Sequence, residues 1–315
     1  MGNELKIGIS ACLLGQQVRY DGGHKRDEFV TDQLSRYATF VPVCPEVEIG
    51  LGTPRESLRL VQAPSGNRLV ALKSGADHTV EMRAFASRRL KELEGLDLCG
   101  YILKKDSPSC GMERVRLYSG EAASRTGRGL FAGALLDRWP ALPVEEEGRL
   151  HDPSLRENFI ERVFAYRRLR EFQASRWTIG ELVRFHTAEK LLLLAHDTTA
   201  YRRLGQVVAA AKGRGRAPVN AEYLDLFMKA LAKPATRAKH VNVLQHMEGY
   251  FKKVLPVPER RELAVVVDDF RRGLVPLVVP VTLIRHLARR FEVRYLMGQI
   301  YLEPHPKELM LRNHA

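Results

Sequence analysis

Residues 76–111, "ADHTVEMRAFASRRLKELEGLDLCGYILKKDSPSCG", place a helical pattern directly before a strand-like run. Apolar residues recur three and four positions apart up to Gly95, which predicts a helix with Asp77 as its N-cap and Gly95 as its stop. The following run, "LCGYILKKDSP", predicts a strand that ends in a sharp turn carrying Cys110. Strands that alternate with helices in this way predict an α/β domain with a mostly parallel sheet.

The rest of the first half repeats this alternation. Strands are predicted at residues 5–15 and 38–50, and a short helix at residues 127–139. A hairpin is predicted at residues 58–73, with its turn at Pro64-Ser65-Gly66-Asn67.

Three of the four cysteines follow predicted strands. Cys12, Cys44 and Cys110 each lie at a strand end, and ligands of parallel sheets bind beyond the carboxyl ends of the strands. We therefore expect these three thiols to meet at one edge of the sheet. Cys99 begins its strand and is expected to lie apart from them, in the core.

From about residue 150 onwards the apolar residues keep a helical period throughout. The sequence thus predicts an α/β domain over residues 1–148 and an all-helical domain over residues 149–315, with the acidic segment 143–150 at their boundary.

Positive charge is concentrated in the helical half. Residues 1–150 hold 21 Lys and Arg against 20 Asp and Glu, a net charge of +1, whereas residues 151–315 hold 29 against 17, a net charge of +12. A basic domain joined to a neutral one favours an acidic partner, and nucleic acid is the commonest. The arginine clusters that would contact it are Arg167-Arg168-Arg170, Arg202-Arg203, Arg214-Arg216, Arg271-Arg272 and Arg289-Arg290.

The chain carries no pattern of export or membrane insertion. Its first ten residues lack the basic and apolar regions of a signal peptide, and no segment approaches the roughly 20 apolar residues of a membrane span. A cytoplasmic protein with no membrane association is therefore expected. In that compartment, cysteines favour metal binding or catalysis over disulfides.

The cysteine spacing leaves the kind of metal open. Cys12, Cys44 and Cys110 lie 32 and 66 residues apart, unlike the close pairs of a structural zinc site. Three thiolates without a fourth suit a catalytic zinc ion or an iron–sulfur cluster with one open iron, and small buried cysteines are the alternative to both. Glu46 beside Cys44, and Ser107 and Ser109 beside Cys110, would add acid–base groups.

Four segments resemble the TudS family of thiouracil desulfidases. They are "ISACLLGQQVRYDGGHK" (9–25), "CPEVEIGLGTPRESLRLV" (44–61), "KKDSPSCG" (104–111) and "GRGLFAGAL" (127–135). The resemblance covers roughly residues 5–140 in the family's order. The helical half is similar to the YbgA-like domain, and the fused arrangement resembles desulfidases that convert 4-thiouridine in tRNA to uridine.

This resemblance implies a cofactor and roles for individual residues. It implies a [4Fe–4S] cluster held by Cys12, Cys44 and Cys110, with one iron free to bind the thiocarbonyl sulfur. Its catalytic carboxylate corresponds to Glu46 and its catalytic serine most naturally to Ser107, with Ser109 as the competing choice.

Further residues are expected to contact the substrate. These are Ser109, Asp21, Lys105 and Arg19, and for Asp21 a role in ordering its loop is an equal alternative. The polynucleotide partner implied is tRNA that contains 4-thiouridine.

Two other functions fit the same sequence. The first is a cluster or zinc hydrolase acting on free thiopyrimidines, in which the helical domain only aids oligomerisation. The second is a non-enzymatic RNA-binding protein that senses redox state or metal through a coordinatively closed site.

Overall fold

The computed structural model describes residues 5–64, 66–120 and 122–313. Within it the chain divides into two compact units between Asp152 and Pro153. The first unit is α/β and the second is mostly helical, so the predicted fold class is confirmed.

The first unit contains two four-stranded sheets. Its strands and helices are β1 (Lys6–Ser10), β2 (Thr39–Val43), α1 (Pro45–Glu48), β3 (Leu58–Val61), β4 (Arg68–Ala71), α2 (Thr79–Glu94), β5 (Gly100–Leu103), β6 (Val115–Ser119), β7 (Ala122–Gly127), α3 (Leu130–Arg138) and β8 (Val144–Glu146). Single 3-10 or π turns lie at Ala11–Leu14, Phe29–Gln33, Leu34–Arg36 and Arg149–His151.

The larger sheet is parallel throughout, in the order β2-β1-β5-β8. The rings of Phe85 on α2, Phe131 on α3 and Tyr101 on β5 pack together, with centroids 6.0 and 6.1 Å from that of Phe131. Gly8 on β1 leaves room for Tyr101, because a Cβ there would lie 2.3 Å from its ring. The central strands β1 and β5 are thus buried under α2 and α3, and their carboxyl ends stay open to a ligand.

The smaller sheet has the order β4-β3-β6-β7. Strands β3 and β4 form the predicted antiparallel hairpin, and residue 65 of its turn lies outside the described residues. Strand β6 pairs parallel with β3 and antiparallel with β7.

Several predicted boundaries were wrong. Strand β1 ends at Ser10 and β2 at Val43, so that Cys12 lies in a 3-10 turn and Cys44 is the N-cap of α1. Pro45 explains the second change, because its fixed φ suits the first position of a helix. The N-cap of α2 is His78 and not Asp77, whose carboxylate instead accepts a hydrogen bond from the backbone N–H of Thr79 at 3.0 Å.

The second unit is an assembly of helices. They are α4 (Pro153–Ala174), α5 (Ile179–His196), α6 (Thr198–Ala209), α7 (Arg216–Leu231), α8 (Arg237–Phe251), α9 (Val257–Arg272), α10 (Val278–Arg290) and α11 (Arg294–Met297), followed by 3-10 turns at Ile300–Leu302, Lys307–Leu309 and Leu311–Asn313. Among the described residues, no helix has both the length and the apolar character needed to cross a bilayer.

Candidate functional site

A cavity of about 340 Å³ lies where β1, β2 and β5 end. Cys12, from the turn after β1, Cys44, directly after β2, and Cys110, from the loop after β5, all line it. The parallel sheet therefore brings the three thiols to one edge. Cys99 precedes β5, is buried, and is not among the lining residues.

Burial disfavours the charged thiolate form of all three cysteines. Burial raises the pKa of Cys12 to about 11 and raises that of Cys44. Burial also raises the pKa of Cys110 well above its ordinary value, and the charges of Cys44 and Cys12 raise it further. Binding a metal would therefore release protons from these thiols.

The arrangement distinguishes a single ion from a cluster. Among the described residues, no three His, Cys, Asp or Glu side chains lie close enough together to hold one metal ion. In an iron–sulfur cluster each cysteine binds a different iron, so the ligands of a cluster stand farther apart than those of one ion. Three thiols that share one cavity are a donor set that fits an iron–sulfur cluster.

Glu46 is held from two sides within the same cavity. It lies on α1, and its Oε2 accepts hydrogen bonds from Nε and Nη2 of Arg55 at 3.0 and 2.7 Å. Its Oε1 accepts a hydrogen bond from the hydroxyl of Ser109 at 2.9 Å. The remaining amino group of Arg55 donates to the carbonyl oxygens of Val18 and Gly52. The carboxylate thus has a fixed position at the cavity wall.

The two candidate serines have different surroundings. Ser107 lines the cavity, and its Oγ accepts hydrogen bonds from the backbone N–H groups of Ser109 and Cys110 at 3.2 and 3.0 Å. Ser109 is fully buried and is not among the lining residues. Ser107 therefore orders the turn and faces the cavity, whereas Ser109 supports Glu46.

The N-terminus of α3 fixes the turn that carries Cys110. The backbone N–H of Gly129 donates to the carbonyl of Gly111 at 2.9 Å, and that of Leu130 donates to the carbonyl of Pro108 at 3.2 Å. The next two amides, Phe131 and Ala132, both donate to the carbonyl of Ser109, at 3.1 Å. Amides that have no partner within the helix are thus satisfied by the turn itself.

Replacing Gly129 with alanine is expected to displace this turn. A Cβ at residue 129 would lie 2.5 Å from the carbonyl oxygen of Ser109 and 2.9 Å from the backbone nitrogen of Cys110. We expect the free energy of unfolding to fall by about 1–3 kcal/mol, and less iron to be taken up on reconstitution. Urea denaturation and an iron assay measure the two effects.

Gly133→Ala in the same helix is the matched control. A Cβ at residue 133 meets only the flexible side chain of Arg128, at 3.3 Å. It is expected to leave iron uptake unchanged, because alanine suits a helix interior better than glycine. Native iron content in Gly129→Ala would contradict the role assigned to α3.

Basic and aromatic side chains complete the cavity wall. Arg19, Lys25, Lys104 and Lys105 line it together with Tyr20. Lys104 is paired with Glu147, which also accepts a hydrogen bond from the backbone N–H of Lys105 at 2.8 Å.

Asp21, which was also predicted to bind substrate, is not among the lining residues. Its carboxylate accepts a hydrogen bond from the backbone N–H of Gly23 at 3.0 Å and pairs with Arg19 at 3.3 Å. Of the four predicted substrate contacts, Arg19 and Lys105 therefore line the cavity, whereas the exposed Asp21 and the buried Ser109 do not.

Arg55 and Glu147 were not found from the sequence. Each lies in a segment without secondary-structure or metal-ligand signature, and each acts through a partner distant in the chain: Glu46 for Arg55, and Lys104 for Glu147. The segment "GRGLFAGAL" was predicted as part of a short helix and noticed as a resemblance, but its N-terminal amides act through backbone atoms that no side-chain pattern reveals.

Fold and site together define an α/β domain with three converging cysteines, followed by a helical unit. A family model described as 2-thiouracil desulfurase matches residues 7–147, and one described as a protein of unknown function, DUF1722, matches residues 190–306. The chain belongs to the 2-thiouracil desulfurase family through its first unit and carries a DUF1722 domain after it, and the predicted resemblance is confirmed.

Individual relatives match about half of this chain each. Uncharacterized protein YbgA of Escherichia coli (strain K12) is 34% identical over 153 residues, which is 48% of this chain and 90% of that protein. Uncharacterized protein YbbK of Bacillus subtilis (strain 168) is 30% identical over 153 residues, 46% of this chain and 98% of that one. A solved structure described as the [4Fe-4S]-dependent thiouracil desulfidase TudS is 36% identical, covering 47% of this chain and 95% of that one with a TM-score of 0.39.

Proposed function

We propose that the first unit is a [4Fe–4S]-dependent desulfidase that hydrolyses the thiocarbonyl group of a thiolated pyrimidine, and that its substrate is 4-thiouridine in tRNA. One observation carries the proposal: three thiols from separate strand ends share a cavity with a fixed carboxylate, Glu46. The overall change replaces C=S by C=O, consumes one water molecule and releases hydrogen sulfide, with no net transfer of electrons.

Cys12, Cys44 and Cys110 would hold the cluster. When bound, it supplies a Lewis-acidic iron without a protein ligand, which attracts the soft thiocarbonyl sulfur and makes the adjoining carbon electrophilic. Tyr20 and two basic side chains of the wall, Arg19 and Lys105, would orient the base and the phosphate groups of the RNA next to it.

Glu46 is the proposed general base. Arg55 occupies its Oε2, and among the described residues its Oε1 has one partner, the Ser109 hydroxyl, so Oε1 keeps a lone pair to accept a proton from the attacking water. A carboxylate in a fixed position can take that proton without rearrangement, which is how general bases contribute to rate.

Ser107 is the proposed proton donor. A hydroxyl has two acceptor sites and one hydrogen, and the N–H groups of Ser109 and Cys110 use the acceptor sites of Ser107 Oγ. The hydroxyl hydrogen remains free for donation in the cavity as the sulfur leaves, after which Ser107 regains a proton from water and Glu46 returns its proton to solvent.

The two serines predict different losses on removal of the hydroxyl. Ser107→Ala is expected to lower kcat about a hundredfold, in the range seen for a lost transition-state donor. Ser109→Ala is expected to cost less than about tenfold, because Arg55 continues to hold Glu46. Steady-state kinetics on protein with equal iron content measures both, and the reverse order of losses would transfer the donor role to Ser109.

RNA recognition is proposed for the helical unit on grounds of charge. Arg202, Arg203, Arg289 and Arg290 are exposed, and no ion pair involving them is found in the described part of the chain. Arg168 is different, because it pairs with the buried Glu189 at 2.8 Å and donates to the carbonyl of Pro304. The four exposed arginines are therefore better candidates for phosphate contacts than Arg168.

The decisive experiment uses anaerobically reconstituted full-length protein with tRNA containing 4-thiouridine and, separately, with free thiouracil. Loss of the thiocarbonyl absorbance together with release of sulfide from tRNA supports the whole proposal. Turnover of free thiouracil alone would keep the chemistry and overturn the tRNA substrate. No turnover of either by iron-loaded protein would overturn the enzymatic function and favour a non-enzymatic binder.

A further inference from the structure

A second cavity, of about 310 Å³, lies on the smaller sheet of the first unit. Its polar lining comes from three neighbouring strands: Arg59 on β3, Arg116 and Tyr118 on β6, and Arg125 on β7. The mechanism proposed above uses none of these residues.

The charge of this cavity is positive and only partly compensated. Arg125 pairs at 3.1 Å with Asp106, the single acidic residue of the lining. Arg59 and Arg116 have no carboxylate partner within the described residues. Two guanidinium groups that the fold does not neutralise are available to an anion.

Arg59 and Tyr118 form a platform on the cavity wall. The guanidinium carbon of Arg59 lies 5.4 Å from the centroid of the Tyr118 ring. The Nε of Arg59 is buried and has no hydrogen-bond partner among the described residues. Since buried donors are normally satisfied, this nitrogen indicates that an acceptor is missing. Guanidinium planes and aromatic rings are also the groups on which unstacked bases pack.

The second cavity adjoins the one that holds the cysteines. Leu58, Asp106 and Pro108 line both, so a single wall of three residues separates them. Asp106 and Pro108 belong to the loop that leads directly to Cys110. A molecule whose reactive end lies at the cysteines can therefore extend into the second cavity.

We propose that this cavity binds the nucleotide next to the reactive one in the RNA strand, with Arg59 and Arg116 on its phosphodiester and Tyr118 against its base. The inference rests on the proposed function, because it supposes that the reactive base belongs to a polynucleotide. That base has to leave its stack to reach the cysteines, so the neighbouring backbone is drawn to the mouth of the first cavity. The catalytic unit itself then contacts RNA, independently of the arginines of the helical unit.

The test is a binding titration against salt. A fluorescein-labelled single-stranded RNA with one 4-thiouridine is titrated with full-length reconstituted protein, native or carrying Arg59→Gln with Arg116→Gln. We expect the double variant to raise Kd at least about tenfold and to lower the slope of log Kd against log salt by about 0.7, since both arginines contact one phosphodiester and each phosphate neutralised on a single strand contributes about 0.7. The ratio of kcat/KM on this RNA to that on free thiouracil should fall by a similar factor.

Arg36→Gln with Arg88→Gln is the matched control. Both arginines are exposed, both lie outside the two cavities, and their removal changes the net charge by the same amount. If the control variant binds RNA as weakly as the Arg59 and Arg116 double variant, the loss of affinity comes from net charge alone and the inference is overturned. Native binding by the Arg59 and Arg116 double variant would also overturn it. If the double variant loses as much affinity for 4-thiouridine monophosphate as for RNA, the phosphate of the reactive nucleotide itself lies in the cavity. That result would contradict a site for the neighbouring nucleotide.

The two proposals fail in different ways. If the native protein releases no sulfide from any thiolated base, the desulfidase function fails, and the RNA titration still decides whether the cavity binds a strand. If sulfide is released and the double variant binds RNA as the native protein does, the function stands and the cavity is not part of the RNA site.

Discussion

Cys110→Ala is expected to abolish both cluster assembly and desulfidation. The first cavity contains three cysteines and no fourth, so the loss of one leaves two thiolates for four irons. Cys110 lies in the turn clamped by α3, and its place cannot be taken by Cys99, which precedes β5. Iron and acid-labile sulfide in the reconstituted variant should fall close to background, and the visible absorption of the cluster should disappear.

Cys99→Ala provides the control for this variant. Cys99 is buried to the same degree as Cys110, with 6% and 7% of the residue exposed, and is a thiol of the same domain. It is expected to keep native iron content and turnover. Iron content that falls equally in both variants would indicate a general loss of folding, and native turnover in Cys110→Ala would remove the cluster from the reaction.

The fold could be predicted because its signals are local. The helix that ends at Gly95 and the strand that follows it differ in apolar period, and their alternation is enough to predict an α/β domain. The convergence of Cys12, Cys44 and Cys110 followed from one further rule, that parallel strands place their carboxyl ends together. No residue contact had to be known for either conclusion.

The supporting shell of the site could not be predicted for the opposite reason. Arg55 contacts Glu46 across nine residues and Ser109 contacts it across 63. Neither separation follows a helix or strand period, so the contacts are not readable from the sequence pattern. The clamp by α3 consists of backbone amides and carbonyls, which every sequence possesses. The N-cap of α2 was misplaced by one residue. The Asp77 carboxylate accepts a hydrogen bond from the backbone N–H of Thr79, two residues on, and aspartate makes such bonds in turns as well as in N-caps.

The RNA site proposed on the second sheet would escape a search by motif. Arg59, Arg116 and Arg125 are single arginines in three separate strands, whereas the charge pattern of the sequence drew attention to paired arginines on helices. Paired arginines on a helix can be neutralised within their own unit, as Arg167 is by Glu171 at 2.8 Å. Whether an arginine lacks a carboxylate partner depends on its neighbours in the fold, and not on the density of charge along the chain.

Glu46→Gln is expected to lower kcat by a factor of about 10²–10⁴, the usual contribution of a general base, while the cluster is retained. Glutamine keeps the size of the side chain and can still accept a hydrogen bond from Ser109, but it cannot take a proton from water. Since Glu46 is not one of the three residues that would bind the cluster, iron content and the visible spectrum should match those of the native protein. Sulfide release at saturating substrate measures the loss.

The ion pair with Arg55 requires a second variant. Arg55 has only 7% of its side chain exposed, so Glu46→Gln leaves a buried charge without its partner and is expected to destabilise the protein by about 3–5 kcal/mol. Glu46→Gln combined with Arg55→Gln removes both charges and should recover much of that stability without recovering activity. Glu56→Gln, at an exposed carboxylate bound to Ser74, is the control and should remain fully active. Recovery of activity in the double variant would assign Glu46 to holding Arg55 instead of to proton transfer, because a general base cannot be restored by removing its neighbour.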